Sequence, residues 1–268
     1  RYAQKWSPIM PEPQCLELKV LSLQSPDNDL FYHLTLESPH WEFRPGQFAM
    51  LRPARWRHEP LWARPFSISD QSPSGLHFFF QRLGSGTELL SQLQPGDRVT
   101  VWGPLGNGFA LAHETPTMIL AGGLGLAPFI GLIRHHPIPQ NLEIFFGHRQ
   151  PLSNYPFAEI EERILAWQVF EQGPADMEKL FRAIEVKVKG YSQDGTLLAC
   201  GPLPFLRRIQ AMALKHNANT QISLENRMAC GMGACLGCTV STHTGELVQA
   251  CTQGPVFKAD AIDLSGEL

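Results

Sequence analysis

Four of the six cysteines in this 268-residue chain crowd together near its C-terminus, as Cys230-Gly-Met-Gly-Ala-Cys235-Leu-Gly-Cys238 followed by Cys251. The spacing C-x4-C-x2-C with a distant fourth cysteine is the plant-type pattern for a [2Fe–2S] cluster. A chain built this way must fold its end into a tight loop that aims backbone N–H groups at the sulfurs. Gly231, Gly233 and Gly237 are expected to supply the positive φ angles such a loop needs. Two other readings stay open. Structural zinc sites usually pair two short knuckles, and here only Cys235 and Cys238 have that separation. Disulfides belong mostly to short secreted domains, with their cysteines spread through the fold. Cys15 and Cys200 stand apart, and Cys15, in an alternating stretch, is expected as a small buried hydrophobe.

Composition narrows the class. At 43% hydrophobic and 18% charged residues the chain has the balance of a packed globular protein. Its net charge of −3 gives no footing for nucleic acid or an anionic membrane. No run approaches the roughly 18 apolar residues of a membrane span. Without a basic, then apolar opening either, the expected location is cytoplasmic.

The first 110 or so residues read as β-structure. Leu16–Leu23 and Phe31–Glu37 alternate with period two, and further strand-like runs are Gln47–Arg52, Phe66–Ser69, Leu76–Gln81 and Arg98–Trp102. Turn signals such as Ser25-Pro-Asp-Asn-Asp, Arg44-Pro-Gly and Gln94-Pro-Gly-Asp separate them, and Pro53–Pro60 reads as a loop. Short strands at this spacing predict an antiparallel β-barrel. After Thr115 the rhythm becomes strand–helix–strand: Met118–Ala121, a helix over Ala127–His136, Leu142–Phe146, a helix over Pro156–Trp167, Thr196–Ala199, and a helix over Pro202–His216. That alternation predicts a parallel α/β module. The expected division is 1–112, 113–217 and 218–268.

Gly122-Gly-Leu-Gly125 lies between a strand and a helix, where glycines let the backbone approach a pyrophosphate. Arg64-Pro-Phe-Ser67 could hold a flavin, with the guanidinium on a phosphate, Phe66 against the rings and Ser67 donating a hydrogen bond. Gly86 and Thr87 could open a short helix beside the pyrophosphate. Read singly, each segment equally suits a barrel strand or a turn. His135-His136 reads as a favourable helix-end pair, since adjacent residues do not share a helix face. Phe78–Phe80 reads as barrel core and flavin wall.

Taken in order, Arg64-Pro-Phe-Ser, Gly84-Ser-Gly-Thr, Gly103-Pro-Leu-Gly-Asn-Gly-Phe109, Ala121-Gly-Gly-Leu-Gly-Leu-Ala-Pro, Cys200-Gly-Pro, the Glu225–Cys238 block and Cys251-Thr-Gln-Gly-Pro-Val-Phe257 cover nearly the whole chain. Together they resemble the ferredoxin-reductase superfamily, and within it the iron–sulfur flavoprotein subunits of two-subunit, NAD-linked dihydroorotate dehydrogenases. The resemblance implies an electron-transfer subunit of pyrimidine biosynthesis that carries FAD and one [2Fe–2S] cluster. Its partner would be a separate FMN-containing catalytic subunit, two copies of each forming a heterotetramer, and its acceptor NAD(H). By resemblance, Arg64, Pro65, Phe66 and Ser67 fall on the flavin motif. Gln81 and Arg82 line FAD, and Gly86 with Thr87 hold its phosphates. Gly122, Gly123 and Gly125 match the nicotinamide-dinucleotide loop, Cys200 the strand end near the nicotinamide, and Cys230, Cys235, Cys238 and Cys251 the cluster ligands. Similar subunits serve sulfhydrogenases, ferredoxin–NADP transhydrogenases and oxygenase reductases; a metal-stabilised regulator or scaffold is the non-enzyme alternative.

Two departures stand out. Phe66 occupies a place often aliphatic or tyrosine. Between Glu171 and Leu198, where relatives carry an acidic-glycine stretch on a nucleotide-side strand, the match found is Tyr191-Ser-Gln-Asp-Gly-Thr, next to the following strand. Arg149 could meet an adenosine-side phosphate, which keeps NADP open beside NAD.

Overall fold

The computed structural model describes residues 12–27, 29–56 and 60–266. Asn28 in the first expected turn and residues 57–59 of the expected Pro53–Pro60 loop lie outside them. Alternating apolar residues build the first layer: β1 (Gln14–Gln24), β2 (Phe31–Leu36), β3 (Phe48–Pro53), β4 (Arg64–Ser67), β5 (Asp70–Ser72), β6 (Gly75–Gln81) and β7 (Arg98–Leu105). All pair antiparallel in the order β4-β3-β7-β1-β2-β6-β5. The sheet curls until its two edges meet in one continuous segment. Ile68 N–H donates to the Gln47 carbonyl beside β3, and Ser69 N–H to the His77 carbonyl of β6, each at 3.0 Å. Leu18, Val20, Leu34, Leu36, Phe78, Phe80, Val99 and Val101 fill the interior. The three-residue β5 is an addition to the expected strands.

Cys15 corrects an expectation, for it is exposed. Strand β2 pairs with β1 only over Val20–Gln24, so Cys15 sits where β1 has β7 as its one neighbour.

The second layer is a sheet of β8 (Thr117–Gly122), β9 (Leu142–His148), β10 (Leu165–Phe170), β11 (Thr196–Cys200) and β12 (Thr220–Ser223). Helix α1 (Ser85–Leu90) belongs to the barrel; α2 (Ile130–His135), α3 (Phe157–Glu161), α4 (Pro174–Asp194) and α5 (Leu203–His216) belong here. A hairpin of β13 (Thr239–Ser241) and β14 (Leu247–Gln249) follows, then β15 (Val256–Lys258), which returns antiparallel to β12. The sheet order is β10-β9-β8-β11-β12-β15. Apolar residues of α2 and α3 pack with one face (Ile133, Phe146, Phe157) and those of α4 and α5 with the other (Leu180, Ile184, Leu206, Ile209). Strands β12 and β15 both come from the stretch after residue 218, so the cysteine-bearing segment is woven into the central sheet.

Two expected helices change, and one helix is added. The helix after the glycine turn begins as a 3-10 helix over Gly123–Phe129 and becomes α-helical only at Ile130. The helix expected to run from Pro156 to Trp167 ends at Glu161, and Leu165–Phe170 is an edge strand. Helix α4 has no counterpart among the expected elements. Its proline at the first turn and its spacing of Met177, Leu180, Phe181, Ile184 and Val188 along one face are both visible in the sequence.

Candidate functional site

The cysteine loop turns through left-handed backbone at Gly231 (φ +70°), Gly233 (φ +81°) and Leu236 (φ +57°), with Leu236 rather than Gly237 making the last turn. Backbone N–H groups converge on the sulfurs. Met232 and Cys235 donate to Cys230 Sγ at 3.4 Å each, Gly233 to Cys251 Sγ at 3.1 Å, and Cys251 to Cys238 Sγ at 3.4 Å. The thiols meet in two pairs, Cys230 with Cys235 and Cys238 with Cys251. Among the described residues no three His, Cys, Asp or Glu side chains gather as they would around one metal ion. Two irons that share bridging sulfides need two thiolates apiece, and two pairs are what this loop presents. The pairs differ in setting. Cys230 is half-buried and Cys235 exposed, while Cys238 and Cys251 are buried. Burial works against ionising Cys230, but the N–H groups of Met232 and Cys235 outweigh it and bring it down to about 7. Burial and the neighbouring Cys238 push Cys251 up to about 12. A cationic centre bound between such thiols would favour their thiolate forms.

The expected flavin residues gather at one end of the barrel. Arg64 opens β4, and its Nε lies 2.8 Å from where a Cβ on Gly86 would stand, so a side chain there would displace the guanidinium. Its Nη1 donates to the Trp62 carbonyl at 3.0 Å. The Thr87 hydroxyl accepts from Leu83 and Gly84 N–H at 2.9 and 3.0 Å, folding the turn ahead of α1. Gln81 ends β6, and Arg82 Nε lies 3.5 Å from Glu88 of α1. Pro65 and Ser67 stand opposite Met50 and Phe48 on β3. Phe66 packs on Phe80 with ring centroids 5.6 Å apart. A barrel strand should alternate buried and exposed side chains, yet all four residues of β4 are half-buried. A planar group laid along that strand would cover them, and the Arg64–Gly86 cradle suits its phosphates. Of the aromatic run, Phe78 and Phe80 fill the barrel, whereas Phe79 packs outward with Phe31 of β2 and with Phe129 of the neighbouring layer.

Gly122, Gly123 and Gly125 follow β8 at the carboxyl end of the parallel strands. Nothing lies within 4 Å of where a Cβ on Gly123 would stand. A Cβ on Gly125 would lie 2.1 Å from the Cys200 carbonyl oxygen, so this turn and Cys200-Gly-Pro press together where β8 and β11 part. That is the switch point at which open α/β sheets bind ligands. Burial and the Glu225 charge push the Cys200 thiol up to about 12, and burial raises Glu225 as well. Nearby in the chain, Asn226 Nδ2 is buried without a hydrogen-bond partner among the described residues, a donor left for a bound group. The Tyr191–Thr196 segment lies at the end of α4 and start of β11. Immediately after β10 stands Glu171-Gln-Gly173, and Arg149 is held by Glu171 at 2.8 Å. His135 Nε2 lies 2.8 Å from Asp70 Oδ1 in a contact between α2 and the barrel, whereas His136 Nδ1 lies 2.9 Å from the Ile138 carbonyl within the second layer.

Residues 225–263 match the family model of the iron–sulfur cluster binding domain of dihydroorotate dehydrogenase B. The chain is 32% identical over 238 residues to the dihydroorotate dehydrogenase B (NAD(+)) electron transfer subunit of Clostridium acetobutylicum, covering 88% of this chain and 93% of that one. The chain belongs to this family of electron transfer subunits. The Desulforamulus reducens member is 34% identical over 223 residues, covering 80% and 84% of the two chains. Solved structures share the fold of these subunits. The NADH-dependent reduced ferredoxin-NADP oxidoreductase studied for flavin-based electron bifurcation superposes with a TM-score of 0.75 at 23% identity, over 92% of this chain and 90% of that one. A Neisseria gonorrhoeae ferredoxin NADP+ reductase with bound FAD and NADP gives 0.60 at 18% identity, over 76% and 92%. Among the described residues no helix is long and apolar enough to cross a membrane.

Proposed function

We propose that this chain takes electrons from a catalytic dihydroorotate dehydrogenase partner and delivers them to NAD+. They would enter at a [2Fe–2S] cluster held by Cys230, Cys235, Cys238 and Cys251, and pass to FAD along Arg64–Ser67. One contact carries the reading. A Cβ on Gly231 of the cysteine loop would stand 2.7 Å from Met50 Cγ, and Met50 on β3 is the register partner of Pro65 in the flavin motif. The loop and the flavin strand thus face each other across one β-strand. When bound, the cluster supplies one-electron carriage and the flavin its conversion to hydride transfer.

The chain's own residues hold, orient and shield. The inner pair, Cys238 and Cys251, packs with Met50 and Leu105 in one core and excludes water on the flavin side. The outer pair lies beside Met232 and Leu236, 61% and 60% exposed, an apolar edge suited to docking the FMN-containing partner. Two copies of each subunit would complete the assembly. Arg64 and Gly86 seat the flavin phosphates, Phe66 and Ser67 its rings, with Gln81, Arg82 and Thr87 alongside; Gly122–Gly125 and Cys200 take the nucleotide.

The test is co-purification with the catalytic partner and assay of dihydroorotate-dependent NAD+ reduction. Activity is expected from the complex and not from this chain alone, and Cys235→Ser should abolish it while flavin stays bound. A colourless chain, or activity that survives loss of the cluster, would refute the reading.

A further inference from the structure

A cavity lies in the seam between the outer face of the barrel and α2, with walls from both layers. One lobe, about 620 Å³, has His33, Asp70, His77, Arg134, His135 and Arg163 along it. A second, about 490 Å³, is bounded by Ser25, Tyr155 and Pro156, and the two share Gln24 and His33. Each is of a size that holds small molecules. The cavity is neither the flavin end nor the glycine turn. His77, Phe79 and Gln81 share one face of β6, and Phe79, packed against Phe31 and Tyr155, stands between the cavity and Gln81. Helix α2 runs from the glycine turn back toward the start of β9. Arg134 and His135 therefore lie at the amino end of the parallel strands, away from Gly122–Gly125.

Most polar groups in these walls are already engaged. Arg134 donates through Nε and Nη2 to Glu159 at 2.7 and 2.6 Å, and through Nη1 to Asp70 at 3.0 Å. Asp70 also meets His135 and the Gln71 N–H, each at 2.8 Å. The hydroxyls of Thr35, Ser72 and Ser74 meet the His77 ring at 3.2, 3.0 and 3.2 Å. Two groups are left over. His33 packs on Phe79 with ring centroids 4.6 Å apart, and neither of its ring nitrogens has a hydrogen-bond partner among the described residues. Arg163, its side chain 46% exposed, reaches only the Arg134 carbonyl at 3.4 Å and Glu159 at 3.6 Å. Two guanidiniums and two carboxylates balance, so the sign of the cavity rests on its imidazoles. Burial first, then Arg134 and His77, push His33 from 6.5 down to about 4, against a smaller pull from Glu159. Burial pushes the nearby Tyr155 hydroxyl up to about 12, so it stays neutral. At pH 7 the His33 ring is therefore uncharged and sits in a positive field.

We propose that this seam binds a phosphate group, with His33 taking up a proton as the anion enters. A tetrahedral oxyanion accepts from donors spread in three dimensions. His33 on β2, the Ser72 and Ser74 hydroxyls at the β5–β6 turn and Arg163 beyond α3 approach from separate elements. An anion beside His33 reverses the field that keeps the ring neutral, and the imidazolium then becomes a donor from both nitrogens. Gln24, Ser25 and Tyr155 in the second lobe offer hydrogen bonds to whatever the phosphate is attached to, so an ester fits as well as the free ion. Because the walls belong to both layers, occupancy ties the barrel to the α/β layer and stabilises their contact.

The experiment uses the flavin-loaded complex with the catalytic partner, NAD+ present, as wild type, His33→Gln and Arg163→Gln. Inorganic phosphate, ribose 5-phosphate and sulfate are titrated in by calorimetry. Phosphate should bind, and each variant should weaken it about tenfold or more, the size of one hydrogen bond to a charged group. Anion binding at the glycine turn would be indifferent to both variants, which lie at the other end of α2. Sulfate stays a dianion at every pH used, so its pH dependence reports protein groups alone. Between pH 7 and 5 its affinity should rise as pH falls, by up to about tenfold per unit, because one proton enters with it. His33→Gln should flatten that slope, whereas Arg163→Gln should lose affinity and keep it. Tighter binding of ribose 5-phosphate than of phosphate assigns the site to an ester, and equal binding assigns it to the free ion. Arg163→Gln carries the test if His33→Gln fails to fold. No binding of phosphate or sulfate to wild type, unchanged affinity in the folded variants, or a sulfate slope unaltered in His33→Gln would overturn the proposal. None of these readings needs dihydroorotate or electron flow.

Discussion

Gly231→Ala probes the contact on which the proposed electron path depends. Gly231 has φ +70°, and a methyl group there would lie 2.7 Å from Met50 Cγ, 3.0 Å from its Sδ and 3.3 Å from Leu105 Cδ1. Left-handed backbone costs a non-glycine residue about 1–2 kcal/mol. Met50 is fully buried and cannot swing aside without disturbing the strand opposite Pro65, so crowding adds about 1–3 kcal/mol. Gly245, in the turn between β13 and β14, isolates the first cost: its φ is +80° and nothing lies within 4 Å of an added Cβ. Gly231→Ala should therefore weaken the cysteine segment by about 2–5 kcal/mol, and Gly245→Ala by about 1–2. Iron and acid-labile sulfide per polypeptide, read beside the denaturant midpoint and the flavin content, separate the two. Iron content should fall in Gly231→Ala with flavin retained. Equal iron loads and midpoints in both variants would show that the loop does not lean on β3.

Arg64→Ala should lower flavin affinity by about 10- to 100-fold, the worth of one hydrogen bond to a charged group, with partial recovery in Arg64→Lys. Flavin per polypeptide after gel filtration measures it; full retention would count against the cradle. Burial acts to raise the Asp70 carboxyl, but the His135 and Arg134 contacts outweigh it and hold it below its ordinary 3.8. The native state therefore keeps that contribution above pH 3.8 and loses it as pH falls through the lower folded value. Asp70→Asn, which gives up the ion pairs at every pH, should cost about 2–3 kcal/mol near neutrality and converge with wild type only below that lower folded value. Denaturant midpoints across that range check the sign, and parallel curves would refute it.

What the sequence disclosed followed the strength of each local signal. The barrel strands were legible because one face is buried and one wet, which stamps period two on the residues. β10 was not, since Leu165, Trp167 and Phe170 are all exposed apolar side chains on an edge and erase the alternation. The i, i+3 spacing of Phe157 and Ile160 then suggested a longer helix than the one that ends at Glu161. Cysteine spacing made the metal loop plain, but not which residue would turn it. A left-handed leucine at 236 is a choice made by the closed loop, not by propensity. The Gly103–Phe109 motif carried no chemistry of its own in the sequence. In three dimensions it is a seam: the Asn107 side chain donates to the Gln253 carbonyl at 2.6 Å, joining the barrel to the chain just after Cys251.

The passage from β4 into β5 carries a consequence for how such chains can vary. Within two residues, Ile68 and Ser69, the backbone leaves the Gln47 side of the sheet and joins the His77 side. Strand register has a period of two, so one inserted residue turns every following side chain to the opposite face. An insertion or deletion here would misalign either Arg64–Ser67 against β3 or Asp70–Ser72 against β6, with no loop to absorb it. Length variation among relatives should therefore avoid these few residues and collect in turns such as that between β13 and β14.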